Sequence, residues 1–407
     1  MSLLYPFRAV RPVPEKAAEV ASPPYDVINT EEARQLAAGK SWSFLHVIRP
    51  EIDLPEGTDE HDDAVYAKGA ENLRRFRESP VFVQDPEPTL YVYRQQMGDH
   101  VQTGVFGCVP VAAYEDERIV RHEKTRPDKE ADRTRHILEQ RAHAEPVMLT
   151  YPDQPAIDEL VARITEEVPL YDFVADDGVR HTVWKVEGPS ELLKAFRAVE
   201  RLYVADGHHR CAAAARAAAV LREQEPAREE LAEYEIFPAV LFPMSQLQIL
   251  PYHRVVRRLS MSPEEFLRAL EARMKVERNV SDPTPPAKGT VTLYLGGGWH
   301  RVELPPTQRG TVADQLDVAR LNEHILEPIL GITDPRTDPN LDFVGGIRGL
   351  GALKEMVDRG EAALAIAMYP TRIGELIAVS DAGLLMPPKS TWFEPKLRSG
   401  LLIHVFD

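Results

Sequence analysis

The 407-residue chain has few cysteines and a shortage of basic residues. Two thiols, Cys108 and Cys211, are too few and too far apart for a disulfide framework or a cysteine-based zinc site, which agrees with a cytoplasmic location. Lysine and arginine number 48 against 64 acidic residues, a formal net charge of -16. Since proteins that bind nucleic acid or anionic membranes present a basic face, this charge argues against both as the main partner.

Long apolar runs and internal repeats are also missing. No stretch of 18 or more consecutive apolar residues occurs, so the sequence predicts no membrane-spanning helix. The opening segment, Met1–Val10, contains Pro6 and Arg8 where a signal peptide would need an apolar core. Since neither a membrane-spanning helix nor a signal peptide is predicted, we expect a cytoplasmic protein. The lack of an internal repeat excludes solenoids and propellers.

The length and the 43% hydrophobic content predict two lobes, residues 1–235 and 236–407. Helical and strand patterns interleave without strict alternation, which favours an α+β (mixed α/β) fold. Predicted helices cover 30–38, 64–77, 128–141, 156–167, 191–199, the segment from Arg210 to a break at Gln224-Glu225-Pro226, 263–274, 312–326 and 350–359. Predicted strands cover 89–96, 101–114, 181–186, 202–205, 239–242, 290–295 and 362–368.

The motif Asp206-Gly207-His208-His209-Arg210 stands between an apolar run and an alanine-rich stretch, a pattern typical of strand, tight turn and helix. The first turn of a helix has unpaired N–H groups and a positive partial charge, so acidic residues are common there. Two histidines and an arginine at this place indicate a bound anion, and phosphate is the usual one. The alternative is that the histidines are solvated and that the aspartate caps the helix.

A second charged segment, Arg121–Arg126, contains His122, Glu123, Lys124 and Thr125. A carboxylate flanked by cations and a histidine can act as a general base or hold a magnesium ion. The alternative is a solvated turn that leads into an exposed helix.

The third candidate is the loop Met386–Lys396. Its two prolines stiffen the backbone, and Lys389, Ser390, Thr391 and Lys396 offer donors that suit phosphate oxygens. The glycines of a Walker A loop are absent, so the loop is not of that type. A structural loop anchored by its aromatic residues is the alternative.

The consecutive prolines of Ser22–Asp26 make a fourth rigid segment. Asp26 at its end has the chemistry of a metal ligand or of a cap for the helix that begins near Thr30.

Several of these segments together resemble the bacterial family known as domain of unknown function 1015, over nearly the whole chain. The matching segments are Pro6–Ala9, Ser22–Val27, Ser43–Val47, His122–Thr125, Ala205–Arg210 and Met386–Thr391. The motif at 206–210 is also similar to the phosphate-binding signature of the ParB and sulfiredoxin superfamily, most closely to the version in ParB-like free-serine kinases. This resemblance implies a ParB/sulfiredoxin-like nucleotide-binding core elaborated by further α/β segments.

The same resemblance implies a nucleotide-dependent small-molecule kinase. It would transfer the terminal phosphoryl group of ATP or ADP, with Mg²⁺, to the hydroxyl of free L-serine and yield O-phosphoserine. Glu123 corresponds to the general base, and Asp206 would orient the hydroxyl or hold the metal ion. The phosphate oxygens would be held by Gly207, His208, His209 and Arg210.

Two other functions fit the motif. One is a non-enzymatic nucleotide-binding regulatory protein of the ParB-like type, and the other is a phosphorylated-metabolite binder or hydrolase. The sequence does not identify the phosphoryl acceptor and does not decide between ATP and ADP. It also leaves the oligomeric state open, with a homodimer among the alternatives. The expected partners are therefore a nucleotide and a small hydroxyl-bearing metabolite, with neither nucleic acid nor membrane.

Overall fold

The computed structural model describes residues 2–224 and 231–406. The chain divides into two compact units. The first consists of Met1–Arg121, Thr125–Leu247 and Pro395–Asp407, and the second of His122–Lys124 and Gln248–Glu394. This division differs from the predicted boundary between 235 and 236 because the strand that begins at Ile236 lies inside the main sheet of the first unit. The predicted helix break at Glu225-Pro226 lies outside the described residues.

The described residues of the first unit form most of the strands and helices. Its strands are β1 (Val10–Pro12), β2 (Phe82–Gln84), β3 (Tyr91–Met97), β4 (His100–Pro110), β5 (Ile119–Val120), β6 (Ala142–His143), β7 (Val147–Tyr151), β8 (Tyr171–Val174), β9 (Arg180–Lys185), β10 (Leu202–Asp206), β11 (Ile236–Pro243) and, near the C-terminus, β20 (His404–Val405). Its helices are α1 (Ala17–Val20), α2 (Thr30–Ala37), α3 (Leu45–Ile48), α4 (Asp63–Arg77), α5 (Val111–Glu115), α6 (Pro127–Gln140), α7 (Pro155–Ile164), α8 (Ser190–Phe196) and α9 (His208–Gln224).

The second unit contains eight strands and four α-helices among its described residues. Its strands are β12 (Gln248–Leu250), β13 (Tyr252–Val256), β14 (Lys275–Glu277), β15 (Thr290–Leu295), β16 (Gly298–Glu303), β17 (Leu341–Gly345), β18 (Leu364–Met368) and β19 (Trp392–Glu394). Its helices are α10 (Pro263–Glu271), α11 (Asp317–Leu321), α12 (Gly349–Asp358) and α13 (Ile373–Asp381).

An eight-stranded sheet forms the centre of the first unit, in the order β5-β10-β7-β11-β4-β3-β9-β8. Its inner strands β7 and β11 pair in parallel and are buried along their whole length, as their continuous apolar sequences require. Strand β10 runs antiparallel to β7, and the pairing register shifts between Val204 and Asp206. Such an irregularity at a strand end redirects the side chain that follows it, here Asp206.

Helix α9 packs against α6 in the same unit. Half of the buried residues of α9 are alanines, among them Ala214 and Ala218, whose small side chains lie in the hydrophobic core beside β10 and β7. The sequence of the helix thus permits a close approach to the sheet, which fixes the position of its first turn.

A six-stranded antiparallel sheet forms the second unit, in the order β14-β16-β15-β18-β13-β17. Helix α12 covers part of it, with Leu353 fully buried against Val255 and Ala365. The short strand β12 pairs separately with β19.

The structure confirms the α+β fold class and most predicted elements, and it corrects two of them. Residues 111–114, predicted as the end of a strand, start helix α5 because Pro110 ends the ladder of β4 and alanines follow. Residues 312–316, predicted as helix, are turns because Thr311 and Asp314 bond each other through side chain and backbone (Thr311 Oγ1 to Asp314 Oδ2 2.6 Å). Helix α11 therefore begins only at Asp317.

None of the helices in the described part of the chain combines the length and the apolar character that crossing a membrane requires.

Candidate functional site

The candidate site of the first unit is the turn between β10 and α9. Gly207 occupies this turn at φ +103°, a backbone conformation that side chains disfavour. A Cβ atom at this position would lie 3.0 Å from Val147 Cγ1 and 3.1 Å from Arg210 Nε. Glycine is therefore required both by the backbone angle and by the close packing of Arg210.

Replacing Gly207 with alanine is expected to lower the free energy of unfolding by about 2–4 kcal/mol, since a strained backbone and a tight contact act together. Gly57 is a matched control in the same unit, because its φ is +85° but no atom lies within 4 Å of an added Cβ. Gly57→Ala is expected to lower the free energy of unfolding by about 1 kcal/mol, because only the backbone strain acts at that position. Equal losses in urea unfolding would show that the contact with Arg210 contributes nothing.

Asp206 lies between two cations of the first unit. Its Oδ2 accepts a hydrogen bond from Arg210 Nη2 at 2.8 Å, and its Oδ1 accepts one from Lys396 Nζ at 3.1 Å. Burial alone would raise the pKa of the Asp206 carboxyl, but the charges on Lys396 and Arg210 outweigh it and hold the pKa below the usual range. The aspartate is therefore ionised at any physiological pH, and its side chain keeps 25% exposure.

Lys396→Met is expected to destabilise the protein by about 1–2 kcal/mol at pH 7, because a charged hydrogen bond to Asp206 is lost. A carboxyl whose folded-state pKa is depressed stabilises the fold above its unfolded value of about 3.9, and this stability disappears as the pH falls through the folded-state pKa. The difference between variant and wild type should therefore shrink below about pH 4. Lys275→Met is the control, since Lys275 pairs with Glu303 in an exposed position, where screening by water makes the loss much smaller.

The guanidinium of Arg210 is buried, with 7% of the side chain exposed. Besides Asp206 it donates to the backbone carbonyl of Pro146. Burial would lower its pKa, yet the carboxylates of Asp26, Asp206 and Glu145 raise it. Within the described residues its Nε finds no hydrogen-bond acceptor. Arg210 is thus a fixed cation among three carboxylates, directly beneath the turn.

Glu145 completes this buried charge cluster, and sequence reasoning missed it. Its Oε1 accepts hydrogen bonds from the backbone N–H of Tyr25 at 3.1 Å and from Ser399 Oγ at 3.3 Å. Its Oε2 lies 3.7 Å from Arg133 Nη1, and the Arg133 guanidinium covers the ring of Tyr25 at 4.0 Å. Burial raises the pKa of Glu145, although Arg210 and Arg133 oppose it. These contacts fix the position of the proline-containing segment 22–26. Its last residue, Asp26, is exposed.

The two histidines of the motif differ in their surroundings. His208 is buried with 8% exposure, whereas His209 is half-buried. His209 Nε2 accepts a hydrogen bond from the backbone N–H of Arg126 at 3.1 Å, so the ring proton of this neutral imidazole is on Nδ1. Arg126 precedes the first residue of α6, and the neighbouring Thr125 hydroxyl donates to Glu130. His209 therefore ties the beginning of α9 to the beginning of α6.

The second unit brings two other predicted segments together. The backbone N–H of Met386 donates to the His122 carbonyl at 2.8 Å, and His122 Nε2 lies 3.4 Å from Thr391 Oγ1. Ser390 Oγ donates to the Pro387 carbonyl at 2.6 Å and so shapes the loop. Lys389 is exposed and adopts φ +56°, a left-handed conformation that is uncommon for a residue with a side chain.

The predicted site residues therefore fall in both units. The first unit holds Asp26, Thr125, Asp206, Gly207, His208, His209, Arg210 and Lys396. The second unit holds His122, Glu123, Lys124, Lys389, Ser390 and Thr391. Within the first unit, Lys396 and Arg210 both donate hydrogen bonds to Asp206. The carboxylate of Asp26 contributes to the raised pKa of Arg210. The expected convergence of Glu123 and Lys389 on Asp206 stays a prediction.

The fold and the turn define an α+β protein in which a strand, a glycine turn and a helix present an aspartate between two cations. The chain belongs to the family described as protein of unknown function DUF1015, whose family model matches residues 4–319. Among proteins of curated function, none matches the chain.

Several solved structures are distantly similar. SbnI from Staphylococcus aureus with a C-terminal truncation is 14% identical with a TM-score of 0.38, over 74% of this chain and 87% of that one. A conserved hypothetical protein from Pyrococcus furiosus is 11% identical with a TM-score of 0.35, over 73% and 94%. A free serine kinase in complex with AMP is 10% identical with a TM-score of 0.36, over 73% and 91%.

Proposed function

We propose that the protein is a nucleotide-dependent small-molecule kinase that binds phosphate groups at the beginning of α9, with free L-serine as the acceptor. One observation carries the proposal. Gly207 opens a helix of 17 residues directly after a strand, and beside it Asp206 is held ionised by Lys396 and Arg210. Helix N-termini attract phosphate because their free backbone N–H groups and the helix dipole act together.

In this proposal the backbone amides of the turn bind the phosphates, since Gly207 leaves room for a close approach. His209 is held at the beginning of α9 by the hydrogen bond that its Nε2 accepts from Arg126, and we propose that it contacts the phosphates there. Arg210 was predicted to hold phosphate oxygens as well. Its Nη atoms are bonded to Asp206 and Pro146, so we assign it instead to the positioning of Asp206.

The acceptor hydroxyl is the remaining reactant. A carboxylate oxygen offers more than one lone pair, so Asp206 can accept a hydrogen bond from the hydroxyl besides those from Lys396 and Arg210. Glu123 is the proposed general base that removes the hydroxyl proton as the phosphoryl group is transferred. It stands three residues before Arg126, so the chain cannot separate their Cα atoms by more than about 11 Å.

A magnesium ion held by Asp206 itself fits the geometry poorly. Both carboxylate oxygens already receive hydrogen bonds from cations, which would repel a divalent ion. Magnesium commonly binds through nucleotide phosphates and keeps several waters. In this proposal the nucleotide substrate is therefore its magnesium complex, and Asp206 is not a ligand of the ion.

Incubation with L-serine, Mg²⁺ and either ATP or ADP, followed by phosphorus NMR, tests the proposal. We expect the terminal phosphoryl group to appear in O-phosphoserine, and Glu123→Gln to slow its formation by about 10²–10⁴-fold. Glu117→Gln is the control in the same stretch of chain, because Glu117 is largely exposed and only distantly paired with Arg121. No transfer to serine or to any other hydroxyl compound would refute the kinase. Nucleotide binding without turnover would favour the regulatory alternative.

A further inference from the structure

A second, cation-lined groove lies on the first unit. It encloses about 430 Å³ between the segment that follows α2 and one face of α4. Lys68, Asn72 and Arg75 line it from α4, at the i, i+4 and i+7 positions that share one side of a helix. Lys40, His46 and the carboxylate of Asp53 also line it. None of the lining residues belongs to the turn at Asp206 or to the kinase proposal.

Arg75 is oriented by aromatic rings and not by an acid. Its guanidinium lies 5.1 Å from the ring centre of Phe76 and 5.8 Å from that of Trp42. Among the described residues, no carboxylate forms an ion pair with it. A guanidinium that stacks on rings keeps its N–H donors available in a fixed plane, which suits the recognition of phosphate oxygens.

His46 is held in a fixed position in the groove. Its Nδ1 lies 2.8 Å from Asp53 Oδ1 and its Nε2 lies 3.2 Å from the carbonyl oxygen of Lys40. Both ring nitrogens of His46 are therefore engaged by oxygen atoms of the protein. Asn72, which is 3% exposed, donates to Asp53 and to the carbonyl of His46 and so fixes the pair.

The other two cations of the groove are lysines in exposed ion pairs. Lys40 pairs with Asp176 at 2.6 Å and Lys68 with Glu71 at 3.1 Å, and both acidic partners are more than half exposed. Exposed ion pairs of this kind contribute little to stability, so an incoming anion can replace the acidic partners. The positive charge of the groove therefore rests on Arg75, which has no acidic partner among the described residues, and on the two lysines where an anion displaces Asp176 or Glu71.

We propose that this groove binds a small molecule that carries a multiply charged phosphate group. Arg75 supplies the planar donor pair, and Lys68 and Lys40 supply the remaining charge. His46 belongs to Ser43–Val47, a segment of the family resemblance for which the kinase proposal provides no role. The inference is independent of that proposal.

Titration calorimetry with inorganic pyrophosphate, without divalent ions, tests the inference. We expect a class of binding site whose affinity falls about tenfold in Arg75→Gln and again in Lys68→Gln, because each removes a charged hydrogen bond. An affinity that is unchanged in the variant with both substitutions would overturn the proposal, as would the lack of any pyrophosphate binding.

Arg74→Gln is the matched control. Arg74 is the neighbour of Arg75 on α4, is also exposed, and lines a different cavity together with Arg77 and Phe82. We expect pyrophosphate affinity to stay within about twofold in this variant, since only distant screened charge is lost. A loss equal to that of Arg75→Gln would show a general charge effect and contradict a built site.

Discussion

Asp206→Asn is expected to lower the rate of phosphoryl transfer at least about 100-fold, the size usual for losing a positioned charged group at a reacting centre. The carboxylate holds Lys396 and Arg210 at the beginning of α9 and is proposed to accept the hydroxyl of the substrate. An asparagine removes the negative charge. Its N–H₂ group replaces one of the two oxygens, so one of the two cations faces a donor instead of an acceptor. The measurement is the initial rate of O-phosphoserine formation, with a thermal unfolding curve to confirm that the variant is folded.

Asp172→Asn is the control for this experiment. Asp172 also accepts from a cation in the first unit, Arg180, but does so at the exposed outer strand β8. Its substitution is expected to leave the transfer rate unchanged. A near wild-type rate in Asp206→Asn would remove the aspartate from the mechanism.

Arg210→Met is expected to reduce the free energy of unfolding by about 3–5 kcal/mol, the range seen when one member of a buried ion pair is removed. Three carboxylates, those of Asp26, Asp206 and Glu145, depend on this cation. Because Arg210 lowers the pKa of both Asp206 and Glu145, its contribution is present at neutral pH and disappears as these groups become protonated. The loss should therefore be largest near pH 7 and smaller toward acid.

Arg222→Met is the matched control on the same helix. Arg222 also meets two carboxylates, Glu115 and Glu235, each at 2.9 Å, but its side chain is 35% exposed. Exposed pairs contribute about 0–1 kcal/mol, so urea unfolding should separate the two variants clearly. Equal losses would mean that burial of the charge cluster beneath the turn has no energetic consequence.

The strand and helix around the turn are predictable from sequence because their signals are local. An apolar run, a glycine and an alanine-rich stretch follow one another within residues 202–221, and the structure has β10 and α9 there. The hairpin of β3 and β4 is predictable for the same reason, since Gly98 occupies its turn with φ +58°. The predicted strand is wrong over residues 111–114 because the effect of one proline, Pro110, outweighs the apolar pattern.

The charge cluster beneath the turn was only partly predictable. Lys396 and Asp206 are 190 positions apart, and only the folded sheet brings them together. Glu145 gives no signal in the sequence, because one acidic residue before a buried strand resembles many others in an acidic chain. The role of Arg210 also depends on tertiary structure, since its partners Pro146 and Asp206 decide whether its donors face inward or toward a ligand.

A crystal structure of the protein with ADP tests the central claim most directly. Diphosphate oxygens are expected within about 3.2 Å of the backbone nitrogens of His208 and His209, at the beginning of α9. A nucleotide whose phosphates lie away from the turn at Gly207, or a turn that remains without phosphate at saturating ADP, would contradict it.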